Sequence, residues 1–268
     1  MKTRCLLPPL LLWPGLLSAE GWNTYRGDPA RSGYTSDELP RKLSLQWTYR
    51  SQVPDSAWPS SDRQEFDRAF HTVISGGLLF FGSSADHQLH ALDAVTGEER
   101  WSHFTDGPIR LAPVCSKDRV YCVSDDGHLY CLDAKSGKLH WRKRGGPTGR
   151  RILGNDNISS IWPARGGPAI ADGIIYWAAG IWPTEGIFIE ALRLDDGKRA
   201  WLNDTDGFRF MPQPHGGANA ASGVSAQGHL VLDGPRVYLP TGRAVPAALT
   251  RTNGKLQYFH LQKYGQLG

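Results

Sequence analysis

The chain has 268 residues, of which 40% are hydrophobic and 21% are charged, so it has the length and composition of a globular domain with a full core. Its formal net charge is +4 at pH 7, and Lys2 and Arg4 near the N-terminus carry two of these charges. The rest of the chain is therefore nearly neutral and has no long basic run, which argues against a nucleic-acid partner.

Residues 1–19 have the pattern of a secretory signal peptide. Lys2 and Arg4 give a positive start, Leu6–Leu17 is apolar, and small residues follow it. The apolar stretch is too short to span a bilayer, and prolines interrupt it. The sequence therefore predicts a removable leader, no transmembrane segment, and export to the periplasm or the extracellular space.

Residues 20–70 are interpreted as an opening segment that precedes the regular part of the fold. It starts with Trp22–Tyr34 and continues into Leu45–Trp47, which has the character of an outer β-strand. The Pro- and Ser-rich stretch 50–69 that follows is interpreted as a long surface loop.

Residues 112–141 predict a meander of four short strands separated by tight turns. The predicted strands are Pro113–Cys115, Val120–Ser124, Leu129–Asp133 and Leu139–Trp141, with Asp-Gly and Ser-Gly supplying positive-φ turn positions. A single meander leaves one apolar face uncovered, so the sequence should contain further copies of it.

The last part of this meander occurs four times in the chain. The four copies are Ala91–Trp101, Cys131–Trp141, Ala191–Trp201 and Ala248–Tyr258. Their glycines at 97, 137, 197 and 254 are 40, 60 and 57 residues apart. Such spacing is typical of four-stranded propeller blades with loop insertions. We therefore predict an all-β β-propeller of four-stranded antiparallel blades over residues 71–268, with about four blades, at about 71–103, 112–143, 167–203 and 228–261. Because the chain stops just past the fourth blade, we expect a partial ring from a longer protein.

The motif Ala-x-Asp-x-x-x-Gly-x-x-x-Trp in these copies resembles the pyrroloquinoline-quinone-like (PQQ-like) propeller repeat. That repeat occurs in quinoprotein alcohol dehydrogenases and in the outer-membrane-barrel assembly propellers. The third copy departs from it with Arg193 in place of Asp, and the fourth has Thr250 and Tyr258. The resemblance implies that the Gly closes the turn between the third and fourth strands and that the Trp docks on the neighbouring blade. The residues that it assigns to this structural role are Trp47, Trp101, Trp141, Trp201, Gly97, Gly137, Gly197 and Gly254.

The loop lengths predict which face of the propeller carries function. In an up-and-down meander, the first and third turns lie at one end of the sheet, and all of these are short here. The insertions 142–167, 179–186, 203–227 and 242–246 all fall at the other end, where binding residues concentrate in rigid scaffolds. We expect a protein partner or a small ligand on this face.

The insertions contain Trp, Arg, Asn and His side chains of the kinds that anchor interfaces. Taken singly, each has a simpler structural interpretation: Trp162 and Trp182 can cap blade edges, and Arg165 and Arg243 can pair with local carboxylates. Taken together, they make the face the candidate site. The candidate residues are Arg150, Arg151, Asn155, Asp156, Trp162, Arg165, Trp182, Glu185, Arg209, His215, Asn219 and Arg243.

The cysteines agree with export. If Asp126-Gly127 is a two-residue turn, counting back places Cys122 opposite Cys131, at a distance that permits a disulfide. Two small buried hydrophobic side chains are an equally good interpretation. The spacing of the cysteines does not predict a metal site.

An enzyme is the alternative class. The resemblance to quinoprotein dehydrogenases would imply PQQ with a calcium ion, held on the ring axis by Glu, Asn and Asp, and packed on a disulfide between adjacent cysteines. This sequence has no adjacent cysteine pair and no catalytic motif. The expectation is therefore a binding module with no catalytic residue, cofactor or metal in this stretch. The alternatives that remain open are part of a quinoprotein dehydrogenase, or the N-terminal propeller of a multidomain enzyme.

Overall fold

The computed structural model describes residues 21–38, 40–51, 69–154, 157–213, 217–242 and 245–261. The predicted leader and most of the predicted surface loop lie outside these ranges. The regular structure of the described residues consists of β-strands and one 3₁₀ turn at Pro183–Glu185. No helix in this part of the chain is long and apolar enough to cross a membrane.

The first two sheets are four-stranded antiparallel meanders with the strands in sequence order. The first contains β1 (Val73–Ser75), β2 (Leu78–Gly82), β3 (Gln88–Asp93) and β4 (Glu99–Phe104). The second contains β5 (Val114–Ser116), β6 (Arg119–Val123), β7 (His128–Asp133) and β8 (Leu139–Arg144).

A two-stranded hairpin separates the second sheet from the third, and another separates the third from the fourth. The first hairpin is β9 (Arg151–Gly154) and β10 (Asn157–Ser160). The third sheet follows, with β11 (Gly166–Ala171), β12 (Ile174–Ala179), β13 (Phe188–Arg193) and β14 (Arg199–Asn203). The second hairpin is β15 (Arg209–Pro212) and β16 (Asn219–Ser222). Both hairpins lie in segments that the sequence analysis treated as irregular loops.

The chain then forms β17 (Gly228–His229), which pairs in parallel with β11 and adds a fifth strand to the third sheet. The fourth sheet contains β18 (Val231–Asp233), β19 (Arg236–Leu239), β20 (Ala247–Thr250) and β21 (Leu256–Tyr258). The segment His229–Leu232 at the start of the fourth blade is not one continuous strand. The structure divides it, because the chain at His229 pairs with the preceding blade before it enters its own sheet.

The sheets pack face to face through apolar clusters, and period-2 alternation directs each strand's side chains to two different neighbours. Val120 and Cys122 of the second sheet pack in one cluster with Phe80 and Leu89 of the first sheet. The alternate residues face the third sheet, where Trp177 is fully buried. A further cluster joins the third sheet to the fourth. The blades are thus packed in series, and the predicted all-β propeller class is confirmed.

Four glycine–tryptophan docks lie on the side of the turns. Three of them link successive blades, and the first links the opening segment to the first blade. The backbone at Gly97, Gly137, Gly197 and Gly254 has φ between +66° and +75°. A Cβ atom at Gly137 would lie 2.6 Å from the Trp101 ring, and one at Gly97 would lie 2.5 Å from the Trp47 ring. At these two docks, and at Gly254, glycine is therefore required twice, for its backbone conformation and for the approach of the indole. At Gly197 the indole is 3.1 Å from the Cβ position, so the backbone conformation is the main requirement there. The four glycines contact, in order, Trp47, Trp101, Trp141 and Trp201.

The indole N–H usually completes the dock by donating to a backbone carbonyl three residues before the glycine. Trp101 Nε1 donates to Ala134 O at 3.0 Å, and Trp201 Nε1 donates to Arg251 O at 2.8 Å. At the third dock, Arg119 Nη1 donates to that carbonyl, Leu194 O, at 3.0 Å. The buried Trp141 Nε1 is left without a hydrogen-bond partner among the described residues.

The opening segment crosses the innermost strands of the blades. Backbone N–H groups of Ile74, Cys115 and Leu232 donate to its carbonyls at 2.7–2.9 Å. Its Arg31 is buried, donates to Leu230 O and Pro168 O at 2.9 Å each, and so adds a further attachment between the third and fourth blades. Burial lowers the pKa of Arg31 to about 10. Leu45–Trp47 forms no strand, contrary to the sequence prediction, although Trp47 occupies its dock.

The predicted pairing of Cys122 with Cys131 is wrong. Ser124 O accepts from Gly127 N at 3.0 Å, and Ser124 N donates to His128 O, so the connection has three residues rather than two. The register shifts by one, and Cys122 pairs with Tyr130 while Cys131 pairs with Tyr121. Because a one-residue slip reverses the sides of a strand, the two cysteines face different blades. Both are buried free thiols, whose pKa values burial raises.

Candidate binding face

The ends of the sheets form two different faces. Connections after the first and third strands of each blade form the tight-turn face, at residues 76–77, 94–98, 117–118, 134–138, 172–173, 194–198, 234–235 and 251–255. The other connections form the loop face, at residues 83–87, 105–113, 124–127, 145–154, 157–165, 180–187, 204–213, 217–227, 240–242 and 245–246. Contacts respect this division: Arg251 pairs with Asp172 between two turns, and Arg165 pairs with Asp125 between two loops.

Arg165, one of the predicted site residues, lies in a buried ion cluster. Asp125 has a side chain that is only 2% exposed, and both of its oxygens are occupied. Arg165 Nε donates to Asp125 Oδ1 at 2.5 Å and Arg165 Nη2 donates to Oδ2 at 2.8 Å, while Arg110 Nε donates to Oδ2 at 2.8 Å. The two-pronged geometry suits a guanidinium group and fixes the loops of two blades to each other.

The adjacent Asp126 organises the same connection. It accepts from the backbone N–H of Asp106 at 3.1 Å and of His128 at 2.9 Å, and also from the Tyr130 hydroxyl. Burial by itself would raise the pKa of Asp126, but the hydrogen bonds from His128 and Tyr130 outweigh it and keep the pKa below its usual value. Asp126 is therefore a charged structural group rather than a poised acid.

His90 lies between two carboxylates at the outer side of the first blade. Its Nε2 is 3.0 Å from Asp86 Oδ2 and its Nδ1 is 2.7 Å from Glu99 Oε2. Burial would lower the pKa of His90, but both carboxylates favour the imidazolium and the net pKa is raised. The ring also stacks on Phe81, with centroids 4.9 Å apart. All its polar atoms are thus engaged within the blade.

Several other predicted site residues also make internal contacts. Trp162 is only 4% exposed, and its Nε1 donates to Glu185 O at 2.6 Å. Arg151 pairs with Asp106 at 2.9 Å, and Arg209 pairs with Asp206. Of the remaining candidates, Arg150, Trp182, Glu185 and Asn219 are exposed, and Asn155, Asp156, His215 and Arg243 lie outside the described residues.

The loop face carries a series of exposed apolar side chains on its two hairpins and on the 3₁₀ turn. Leu153 is 78% exposed and lies opposite Ile158 in the first hairpin. Phe210, in the second hairpin, is 70% exposed, and Trp182 precedes the 3₁₀ turn. The set is Ile152, Leu153, Ile158, Trp182, Phe208 and Phe210. Exposed apolar side chains grouped on one surface are typical of interaction sites.

Two of the concavities beside the blades lie at opposite ends of the sheets. A cavity of about 330 Å³ opens on the loop face between the third and fourth blades, lined by Gln213, Ser225, Gln227 and Thr241 among others. A groove of about 710 Å³ lies on the tight-turn face between the second and third blades, with the charged side chains of Lys117, Asp118, Arg119, Asp172, Arg193 and Asp195 at its rim. Of these two concavities, the larger is therefore not on the predicted face.

The comparison with known families decides the identity of the repeat. A PQQ-like family model, described as "Outer membrane protein assembly factor BamB", matches residues 44–254. That span contains all four docking glycines. The chain belongs to this family.

Solved structures agree with this PQQ-like fold. The quinohemoprotein alcohol dehydrogenase from Comamonas testosteroni superposes with a TM-score of 0.64 and 18% identity, covering 91% of this chain and 41% of that one. A europium-containing methanol dehydrogenase gives a TM-score of 0.60 and 14% identity, covering 91% of this chain and 49% of that one. The chain thus spans less than half the length of these dehydrogenases. No curated protein sequence matches it.

One asparagine of this PQQ-like propeller, a residue type that the dehydrogenase resemblance would assign to calcium, makes internal contacts. Asn203 Nδ2 donates to Asp206 Oδ2 at 2.7 Å and to Gly254 O at 2.8 Å, and Asn203 Oδ1 accepts from Asp206 N. Its amide therefore links the last strand of the third blade to a tight turn of the fourth. No group of three or more His, Cys, Asp or Glu side chains that could hold a metal occurs in the described ranges.

Proposed function

We propose that the chain is an exported PQQ-like propeller module that binds a partner protein through its loop face, with no chemistry of its own in this stretch. The observation that carries this proposal is the set of exposed apolar side chains on the loop-face hairpins. Leaving such side chains in water costs free energy that a partner's apolar surface would recover.

The structural roles of the arginines support an apolar rather than an electrostatic mode of capture. Arg165 is committed to the buried Asp125, and Arg151 and Arg209 are paired with neighbouring carboxylates. The side chains that project from the hairpins and the 3₁₀ turn are aromatic and aliphatic, with Phe210 and Trp182 as the aromatic anchors. Aromatic residues are the most frequent energetic anchors of protein interfaces.

The description of the matched family, an assembly factor for outer membrane proteins, is consistent with a protein-binding role. The signal-peptide pattern of residues 1–19 supports export, and we propose that the mature chain begins just after it. We also propose that these blades are part of a larger ring.

A photo-crosslinking experiment tests the proposal. The full chain would carry a photo-reactive phenylalanine analogue at Phe210 and, as a matched control, at Val95, which is 77% exposed on the tight-turn face. On irradiation in the producing cell, we expect a discrete protein adduct at Phe210 and none at Val95. Adducts at Val95 alone, or none at either position in a folded chain, would overturn the proposal.

A dehydrogenase role is the second candidate function, because the two superposed structures are an alcohol dehydrogenase and a methanol dehydrogenase. Asn203 is occupied by internal hydrogen bonds, and a fold likeness at this identity carries no activity. Adding the quinone and calcium to the full chain with an alcohol and a redox dye checks this candidate. Dye reduction above that of a heat-unfolded sample would favour it over the binding module. A catalytic domain fused beyond the propeller is the third possibility.

A further inference from the structure

The cavity between the third and fourth blades, here called the blade 3–4 cavity, brings several loop-face segments together. Gln213 comes from the second hairpin's end, Ser225 and Gln227 from the segment that leads into β17, and Thr241 from the connection between β19 and β20. Phe259, just after β21, also contributes to the lining. The cavity volume of about 330 Å³ is at the small end of the range of about 300–1,000 Å³ for ligand pockets.

The lining is polar but carries no charged side chain among the described residues. It combines hydroxyl groups and two carboxamides with the apolar surfaces of Pro183, Phe259 and Leu261. This composition contrasts with the charged rim of the tight-turn groove. Entry of an ion would cost desolvation without a compensating counter-charge among the described lining residues.

Much of the hydrogen-bonding capacity of this lining is unused within the described residues. Gln213 Nε2 donates to Met211 O at 3.0 Å, and its carbonyl oxygen has no partner among the described residues. Thr241 Oγ1 donates to Val245 O at 3.1 Å and can still accept from a ligand. The side chains of Gln227 and Ser225 have no hydrogen-bond partner within the described residues, although Ser225 is 9% exposed. A purely apolar ligand would leave these groups unpaired, at a cost.

We propose that the blade 3–4 cavity binds a small, neutral, hydroxyl-rich ligand of the saccharide or polyol class. Such a ligand offers a donor and an acceptor at each hydroxyl, which matches the carboxamide and hydroxyl groups of Gln227, Ser225 and Thr241. Its C–H faces can pack on the apolar surfaces of Phe259 and Pro183. The cavity lies beside, and is distinct from, the hairpin residues proposed to capture a protein partner.

Calorimetric titration of the full chain tests this proposal. The probes are glucose and maltose as neutral saccharides, with glucuronate and glucosamine as charged analogues of similar size. We expect saturable binding of at least one neutral saccharide and weaker binding of its charged analogues. This selectivity is measured on the unaltered chain and does not depend on any variant folding.

Two variants locate the site. Gln227→Leu keeps the approximate size of the side chain and removes its carboxamide, and we expect the affinity for the neutral saccharide to fall about tenfold. Gln46→Leu makes the same change at an exposed position outside the cavity and should leave the affinity unchanged. No saturable heat from either neutral saccharide, equal or tighter binding of a charged analogue, or equal affinity of Gln227→Leu and the unaltered chain would each overturn the proposal. Because crosslinking at Phe210 is measured separately, this result leaves the protein-binding proposal independently testable.

Discussion

The tight-turn face repeats one solution at every blade, whereas the loop face uses a different connection at each position. On the tight-turn face, a glycine with positive φ contacts an indole from the preceding blade or, at the first dock, the indole of Trp47. A β-bulge also recurs at the same place in all four sheets. On the loop face, the buried ion cluster, the two hairpins and the 3₁₀ turn do not recur from blade to blade. The repeated face holds the blades together, and the varied face is free to carry specific contacts.

This contrast predicts that changes at a dock have the largest effect on stability. In Gly137→Ala, the new methyl group would lie 2.6 Å from the Trp101 ring, on a backbone at φ +70°. The left-handed backbone costs about 1–2 kcal/mol for a non-glycine residue, and displacing a docked indole should bring the total loss to about 3–5 kcal/mol. Urea unfolding would measure this loss.

Gly76→Ala provides the matched control, since its φ is +57° and no atom lies within 4 Å of the position that the new methyl group would take. It should lose only the backbone contribution of about 1–2 kcal/mol. Equal losses of unfolding free energy at the two glycines would mean that the indole contact does not stabilise the fold, which would contradict this prediction.

The sequence predicted this repeated face well and the varied face poorly. The recurrence of Gly and Trp at fixed offsets identifies the docks because the same close contact demands the same residues each time. The ion cluster at Asp125 joins residues 40 positions apart that share no repeat, so no periodicity marks it. The cysteine register was missed because Asp-Gly fits both two- and three-residue turns, and only the pairing of Ser124 with His128 distinguishes them.

The exposed hairpins of the loop face were missed for a related reason. Phe208 and Phe210 alternate with Arg209 and Met211, which is a strand pattern, but the flanking glycines and prolines favoured an irregular loop. Leu153 and Ile158 are separated by Gly154 and by turn-forming residues in the same way. The sequence alone does not show whether an apolar residue in a loop segment is exposed at a hairpin or buried against a blade.

A second prediction separates the structural from the exposed arginines of the loop face. Arg165→Gln removes the two-pronged partner of a buried carboxylate and should cost about 2 kcal/mol, with Arg110 retaining part of the pairing. Arg151→Gln breaks an ion pair whose two side chains are 46% and 55% exposed, and should cost less than about 1 kcal/mol. Denaturant midpoints of the two variants at equal m-values would measure the difference. A cost at Arg151 equal to that at Arg165 would contradict the distinction between clamp and surface pair.

The third prediction concerns pH and compares His229 with His90. Burial, followed by the nearby Arg31 and His71, lowers the pKa of His229 to about 3. Its Nε2 accepts from Ala112 N at 2.9 Å, and its ring stacks on Tyr25 with centroids 3.8 Å apart, so the neutral ring holds the opening segment against the blades. The unfolded chain takes up this proton near pH 6.5 while the folded chain does not. The contribution of His229 is therefore complete above about pH 6.5 and is lost as the pH falls towards about 3, by at most about 1.4 kcal/mol per pH unit.

His90 has the opposite sign, because the pKa of its ring is raised in the folded state. Its contribution is complete below about pH 6.5 and is lost as the pH rises through the folded pKa. Free energies of unfolding between about pH 4 and about pH 9 should therefore show His229→Gln flattening the acidic side of the profile and His90→Gln flattening the basic side. Glutamine can still accept a hydrogen bond at 229, so the change of slope reports titration rather than loss of that contact. If His229→Gln left the acidic slope unchanged, the proton would be entering the folded state elsewhere, and the opening segment would not be locked by a neutral ring.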